Sequence, residues 1–292
     1  MKIAFLITAY GEYAHLHKLI AALDRPGVHF FIHIDAKSPL PDEMYADCVT
    51  FIPRRKVWWG GWSHTAAILG LMRAAATFDT GETFDYYVIM SGTDYPVRPN
   101  AELERILSTG GEFINLREGF QTDKPEKRVK YYWFDGFDRR SRSPKTILFR
   151  GIELILRLVT RKRRYPFDRV FTGTVWSALS AGCVRHILDY VESHPEYVAF
   201  FRTALIPEEF FFHTIIGNSP YRGQVRTSLT YADWSDGKAS GPALITMERL
   251  DRLAPGRLVG WGSKEYDPFF ARKFNDASAE VVAAIDSRFR QK

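Results

Sequence analysis

The sequence predicts an α/β protein built on a mostly parallel sheet, and three observations carry that prediction. Near-uniformly apolar runs at residues 2–8, 28–34 and 86–90 alternate with amphipathic stretches of helix length. That is the pattern of strands buried on both faces between covering helices. Hydrophobic residues make up 46% and charged residues 25% of the 292 positions, enough for a large core and too apolar for disorder. Polar and glycine-rich motifs follow the apolar runs directly, as expected where ligands bind beyond the carboxyl ends of parallel strands.

Taken in order, residues 2–8, Ala9-Tyr10-Gly11 and His15 to Leu23 read as a buried strand, a turn and a helix with Leu16, Leu19, Ile20 and Leu23 inward. Val28 to Ile34 is a second strand, ending His33-Ile34-Asp35, and Val49 to Ile52 is a third. After Trp59-Gly60-Gly61-Trp62-Ser63, the Ala- and Leu-rich residues 64–77 are helical, with Ser63 a candidate N-cap. Tyr86 to Met90 is a fourth strand running into Ser91-Gly92-Thr93-Asp94-Tyr95-Pro96; Ala101 to Leu107 is a helix and Glu112 to Asn115 a short strand. Gly173-Thr174-Val175-Trp176-Ser177 is another strand candidate. Pro207 suits a first helical position, because its missing N–H has no intrahelical partner there. With Phe211, Phe212 and Ile215 packed inward, a carboxylate of Glu208-Glu209 would stand at the rim of a cleft. No repeat, low-complexity tract or linker divides the chain. Residues 1–275 are therefore expected to form one domain, and 276–292 a C-terminal helix or tail; the C-terminal part closes over the cleft.

Two cysteines, Cys48 and Cys183, make neither a disulfide framework nor a metal cluster, which fits a reducing compartment. The first residues lack a signal-peptide core, and no run of about 18 apolar residues exists. A cytoplasmic protein is expected. The net charge of +6 is uneven: residues 139–164 hold ten basic residues against one acid, Glu153, so this segment carries +9 and the rest of the chain −3. Within it, Ile147 to Val159 places Leu148, Ile152, Ile155 and Val159 on one helical face. Such a basic amphipathic helix either packs on the core with solvated ends or makes peripheral contact with an anionic membrane surface on its inner face. The segment lacks aromatic interleaving and any known nucleic-acid module, so no nucleic-acid partner is expected.

Several constellations could carry chemistry. Adjacent Glu208 and Glu209 offer a fixed general base, or complement a helix dipole. Asp35 at a strand end can accept from a ribose hydroxyl or uracil N–H, or start a turn. Trp59 beside Gly60 and Gly61 offers a flat ring next to backbone that a ligand can approach. Asp94 sits in a loop between acceptor binding and turn capping; Trp176 and Trp234 are sugar platforms or core residues. In Pro268-Phe269-Phe270-Ala271-Arg272-Lys273-Phe274 the aromatics would hold a basic pair that grips phosphate or merely snorkels. The acids of Asp135-Gly136-Phe137-Asp138 read as a loop, and no histidine or cysteine grouping, P-loop or dinucleotide fingerprint appears. No metal and no cofactor are expected.

Four motifs occur in one order: Val57-Trp58-Trp59-Gly60-Gly61-Trp62-Ser63, Met90-Ser91-Gly92-Thr93-Asp94-Tyr95-Pro96, Pro207-Glu208-Glu209-Phe210-Phe211 and Phe269-Phe270-Ala271-Arg272-Lys273-Phe274. Together, over roughly residues 3–275, the chain resembles the core-2/I-branching N-acetylglucosaminyltransferases and the peptide O-xylosyltransferases. The resemblance implies a GT-A-type, Rossmann-like fold, a UDP-sugar donor carrying xylose or N-acetylglucosamine, and inverting transfer to a hydroxyl without a divalent metal. It makes Glu209, the second acid after the proline, the catalytic base. Asp35 would hold the uridine, Val57, Trp58, Trp59 and Gly60 would line the donor pocket, and Arg272 with Lys273 would clamp the diphosphate. Trp176 would lie near donor sugar and acceptor, and Asp94, Glu208 and Trp234 on the acceptor side. The acceptor would be a glycan or lipid-linked saccharide, in surface polysaccharide or glycoconjugate synthesis. Xylosyltransferases carry an acid immediately before the tryptophan, where this chain has Val175. A non-catalytic, sugar-nucleotide-binding relative and a basic-patch nucleic-acid binder are the alternative readings.

Overall fold

The protein is described by a computed structural model covering all residues except 42–46, 79–82, 160–162, 236–240, 257, 260–264 and 292, with backbone alone at 258, 259, 265 and 266. Its first half runs β1 (Ile3–Ala9), α1 (Tyr13–Leu23), β2 (Val28–Ile34), β3 (Val49–Phe51), α2 (Trp62–Ala76), β4 (Tyr86–Ser91), β5 (Asp94–Pro96), α3 (Asn100–Ser108) and β6 (Glu112–Phe113). Then come β7 (Arg117–Glu118), α4 (Lys127–Lys130), α5 (Pro144–Val159), β8 (Phe171–Thr172), β9 (Ser177–Ser180), α6 (Ala181–Ser193), α7 (Pro195–Phe201) and α8 (Phe211–Gly217). The tail holds β10 (Val225–Arg226), β11 (Thr230–Ala232), α9 (Met247–Leu250), the antiparallel pair β12 (Leu258–Val259) and β13 (Glu265–Tyr266), β14 (Phe270–Arg272) and α10 (Ala279–Ile285).

Seven strands form the main sheet in the order β10-β6-β9-β4-β1-β2-β3. β1 is central and parallel to both neighbours, with Ile3 opposite Val28 on one side and Tyr86 on the other. Only β9 runs against its partners, β4 and β6. Side chains alternate across a strand, so Ile3, Phe5 and Ile7 enter one core layer and Ala4 and Leu6 the other. The first layer is closed by Leu16, Leu19 and Leu23 of α1, Leu103 and Leu107 of α3, and Val281, Val282 and Ile285 of α10. The second is closed by α2, α6, α7 and α8, with Tyr197, Phe201, Phe211 and Phe212 fully buried. Burial on both faces is why these strands read as unbroken apolar runs. This is the mostly parallel, helix-flanked architecture expected of a GT-A-like protein.

A second, three-stranded sheet of order β11-β14-β5 positions the candidate site. Gly92 allows the chain to turn from β4 into β5; an added Cβ there would lie 3.1 Å from Ala9 Cβ. β14 then pairs antiparallel with β5, setting Arg272 opposite Asp94, and the Phe274 N–H donates to the Thr93 carbonyl at 2.8 Å. A segment near the chain's end is thus laid across the carboxyl ends of β1 and β4.

Five local expectations are revised. Asp94 belongs to β5, not to a loop, because β14 supplies its strand partners. The Pro207 segment is a 3-10 turn, Pro207–Glu209, and the α-helix starts only at Phe211. Trp176 precedes β9 rather than lying in a strand, and β6 stops at Phe113. Ser63 is in the first turn of α2, whose N-cap position is Gly61; the Ser63 N–H instead donates to Asp135 Oδ2 at 2.6 Å. No helix among the described residues is long and apolar enough to cross a membrane.

Candidate active site

At the end of β2, Asp35 is buried and anchored by its own N–H, which donates to the Ala9 carbonyl at 2.8 Å. Its Oδ1 accepts from the Lys37 N–H at 2.9 Å and the Val57 N–H at 3.2 Å, and its Oδ2 pairs with Lys37 Nζ at 3.0 Å. Lys37 also donates to the Val57 carbonyl at 2.5 Å and lies 4.7 Å from the Trp58 ring centroid. Asp35, Val57 and Trp58 are therefore one fixed group knitted by Lys37. Beside it, the His33 ring accepts from the Arg55 N–H at 3.0 Å. Burial, reinforced by the Arg55 charge, pushes His33 down to about 4, so it stands neutral. Trp59 turns away: it is 45% exposed and stacked by Arg140, whose guanidinium carbon is 4.6 Å from the ring. Gly60 adopts φ +72°, and its carbonyl accepts from the Ile206 N–H at 2.8 Å. That bond ties this loop to the acidic turn.

On β14, the Arg272 guanidinium lies 3.9 Å from the Trp176 ring centroid, with Nε 3.5 Å from Asp94 Oδ1. Arg272 is 7% exposed and Asp94 fully enclosed. Asp94 Oδ2 accepts from the Ser91 N–H at 3.0 Å, while Asp94 Oδ1 and Arg272 Nε and Nη1 have no hydrogen-bond partner. Burial raises the Asp94 pKa against the pull of Arg272, and lowers that of Arg272. Desolvated charges this close hold each other ionised only as a pair. The next residue, Lys273, carries its Nζ 5.6 Å from the Tyr10 ring centroid, and Tyr10 follows β1 directly.

The acidic turn begins at Ile206, held at φ +51°. Glu208 Oε1 meets His64 Nδ1 at 3.1 Å; His64 lies 6.5 Å, ring to ring, from Trp176. Glu208 Oε2 is buried and unpartnered. Glu209 faces the other way, paired through Oε2 with Arg128 and, at 3.6 Å, with Lys124 Nζ. Burial raises the Glu209 pKa, opposed by those two cations. Its carbonyl accepts from the Gly173 N–H at 3.1 Å, linking the turn to the segment that carries Trp176.

The sequence model of the family described as Core-2/I-Branching enzyme matches residues 3–254. The chain belongs to that family. It is 27% identical over 247 residues to Xylosyltransferase 2 of Rattus norvegicus, covering 80% of this chain and 27% of that protein. To Xylosyltransferase oxt of Drosophila melanogaster it is 25% identical over 247 residues, 80% of this chain and 26% of the relative. It is also 22% identical over 278 residues to human Beta-1,3-galactosyl-O-glycosyl-glycoprotein beta-1,6-N-acetylglucosaminyltransferase 3, covering 91% of this chain and 55% of that enzyme. The chain thus spans about a quarter of the xylosyltransferases it matches, and little more than half of the N-acetylglucosaminyltransferase.

In this Core-2/I-Branching chain two groups assemble at the strand ends. One is Asp35, Lys37, Val57 and Trp58; the other is Arg272, Asp94, Trp176, His64 and Glu208. Glu209 adjoins the second group through backbone, but its carboxylate faces Arg128 and Lys124. Trp234 is 57% exposed beyond β11. His64, Lys37, Lys124 and Arg128 were not singled out from sequence. His64 has a signal, since it follows the tryptophan-glycine motif; Lys124 and Arg128 lie in an irregular stretch with none. A surface cavity of about 990 Å³ lined by Tyr132, Arg163, Tyr165, Phe167 and Tyr190 contains none of the predicted residues.

Proposed function

We propose that this chain is an inverting glycosyltransferase that moves xylose or N-acetylglucosamine from a UDP-sugar to a hydroxyl of a glycan acceptor without a divalent metal. Xylosyl- and N-acetylglucosaminyltransferases among its relatives support sugar transfer. The observation that carries the reading is the buried Arg272, braced by Asp94 and Trp176 at the carboxyl ends of β1 and β4, with a guanidinium nitrogen unpartnered. A desolvated, pre-oriented cation stabilises charge that develops on a leaving diphosphate, at no reorganisation cost. Lys273 adds a second cation, and Asp35 remains an acceptor for the nucleoside.

Glu209 is the proposed base: it would take the acceptor hydroxyl's proton as that oxygen attacks the anomeric carbon and UDP departs. Burial raises its proton affinity, which suits the task. Glu208 is the second reading, favoured by its buried, unpartnered Oε2 and its link through His64 to Trp176. Acceptor-side contacts are assigned to Trp234 and the Glu208 side of the turn, with Asp94 acting through Arg272. A lipid-linked saccharide fits as acceptor class, in cell-surface glycan synthesis.

Thermal-shift and transfer assays with UDP-xylose and UDP-N-acetylglucosamine test this. The active donor should stabilise the protein by mass action, and EDTA should leave turnover unchanged. Arg272→Ala should weaken UDP binding by about 10- to 100-fold, the loss of a charged hydrogen bond to phosphate. Turnover abolished by EDTA and restored by a divalent cation would overturn the metal-free scheme.

A further inference from the structure

Helix α5 is turned inside out relative to an ordinary surface helix. Thr146 and Glu153 are its buried residues, and Phe149 packs on Phe134 and Phe137 at 5.8 and 5.1 Å between ring centroids. Glu153 accepts from the Phe134 N–H at 2.9 Å and pairs with Arg139 at 2.5 and 3.0 Å. The outward side presents Ile147, Leu148, Leu154, Ile155, Leu158 and Val159, from 57% to 79% exposed. A contiguous apolar face on the outside of a folded chain marks an interaction surface.

Charge says what the surface meets. Arg139 is neutralised by Glu153, but among the described residues Arg140, Arg142, Lys145, Arg150 and Arg157 make no ion pair. Two of these are held flat on aromatic rings: Arg140 on Trp59, and Arg157 on Trp133 at 4.1 Å. We propose that α5 docks on an anionic lipid bilayer, lying in the interface with its leucines and isoleucines immersed and its arginines on lipid phosphates. A second copy of the chain fits less well, because a twofold contact would bring two sets of uncompensated cations together.

Docking would also orient the candidate site. Asp135, next to the Phe134 that donates to Glu153, accepts from the start of α2, and Arg140 rests on Trp59. The Trp58–Gly60 loop is therefore braced by the element that meets the lipid. This adds to the transferase reading a place for its acceptor, and it stands without that reading.

The test is co-sedimentation of the full chain at low ionic strength with vesicles of equal parts phosphatidylglycerol and phosphatidylcholine, and with vesicles of phosphatidylcholine alone. Binding to the anionic vesicles alone, weakened by salt, is expected. The doubly substituted Leu154→Glu/Leu158→Glu chain should keep its melting temperature, since both side chains are exposed, and bind at least about tenfold less. Arg140→Glu/Arg142→Glu should lose binding in the same way. No sedimentation with anionic vesicles, or binding indifferent to the leucine substitutions, would overturn the proposal. So would light scattering that shows a dimer dissolved by those substitutions, which would assign the face to a second copy. None of these readouts uses sugar transfer, so failure here leaves the catalytic reading standing, and the reverse holds too.

Discussion

Glu208 and Glu209 are neighbours in sequence with opposite surroundings, and that contrast makes the base assignment testable. Glu209→Gln keeps shape and burial but removes the proton acceptor, so transfer should fall by about 10²- to 10⁴-fold with UDP affinity unchanged. Glu208→Gln should cost far less, because its side-chain partner is a single histidine. Steady-state rates and UDP titrations on both variants decide it, and the opposite ranking would move the base to Glu208. At this scale the sequence was partly legible. Asp35, Arg272 and the acidic pair stand out because charge beside apolar runs is conspicuous. The Asp94–Arg272 pairing was not legible, since the two residues are brought together only by β14 against β5. Nor was the direction of each Glu side chain, which depends on Ile206 adopting a left-handed conformation that an isoleucine rarely takes.

At the scale of elements, Gly173 in the segment leading into β9 has the least room for a side chain among the described glycines. A Cβ on Gly173 would fall 1.7 Å from the Asn115 carbonyl oxygen and 2.5 Å from the His213 ring. Backbone cannot retreat as a flexible side chain does, so Gly173→Ala should destabilise the protein by about 1–3 kcal/mol, the usual range of overpacked cores. Chemical denaturation measures it, and a change within 0.5 kcal/mol, the scale of a neutral surface substitution, would show that the neighbours rearrange freely. The parallel strands were readable because uniform apolarity survives burial on both faces. The 3-10 turn at Pro207 was not, since proline starts either helix type equally well. α5 shows a different limit. Periodicity finds an amphipathic helix but not which side faces out, and here one buried Glu–Arg pair reverses the usual answer.

For the molecule as a whole, two enclosed imidazoles tie stability to pH. Burial pushes His213 down to about 3 and His33 to about 4. An unfolded chain protonates both near pH 6.5, so between these values it binds more protons than the native state. Stability therefore rises with pH through that window and is lost as pH falls below about 6.5, by up to ~1.4 kcal/mol per pH unit for each imidazole. Buried Asp94 and Glu209, with raised pKa values, titrate in the opposite sense, so the difference between wild type and His33→Asn isolates one imidazole. Melting curves from pH 7.5 to 4.5 should show a shallower loss in His33→Asn, and parallel curves would refute the account. The division into separate sheets has one more consequence. β14 is hydrogen-bonded to β5 and β11 and not to the seven-stranded sheet, so peeling it away would leave that sheet whole while stripping the enclosed Asp94 carboxylate of its counter-ion.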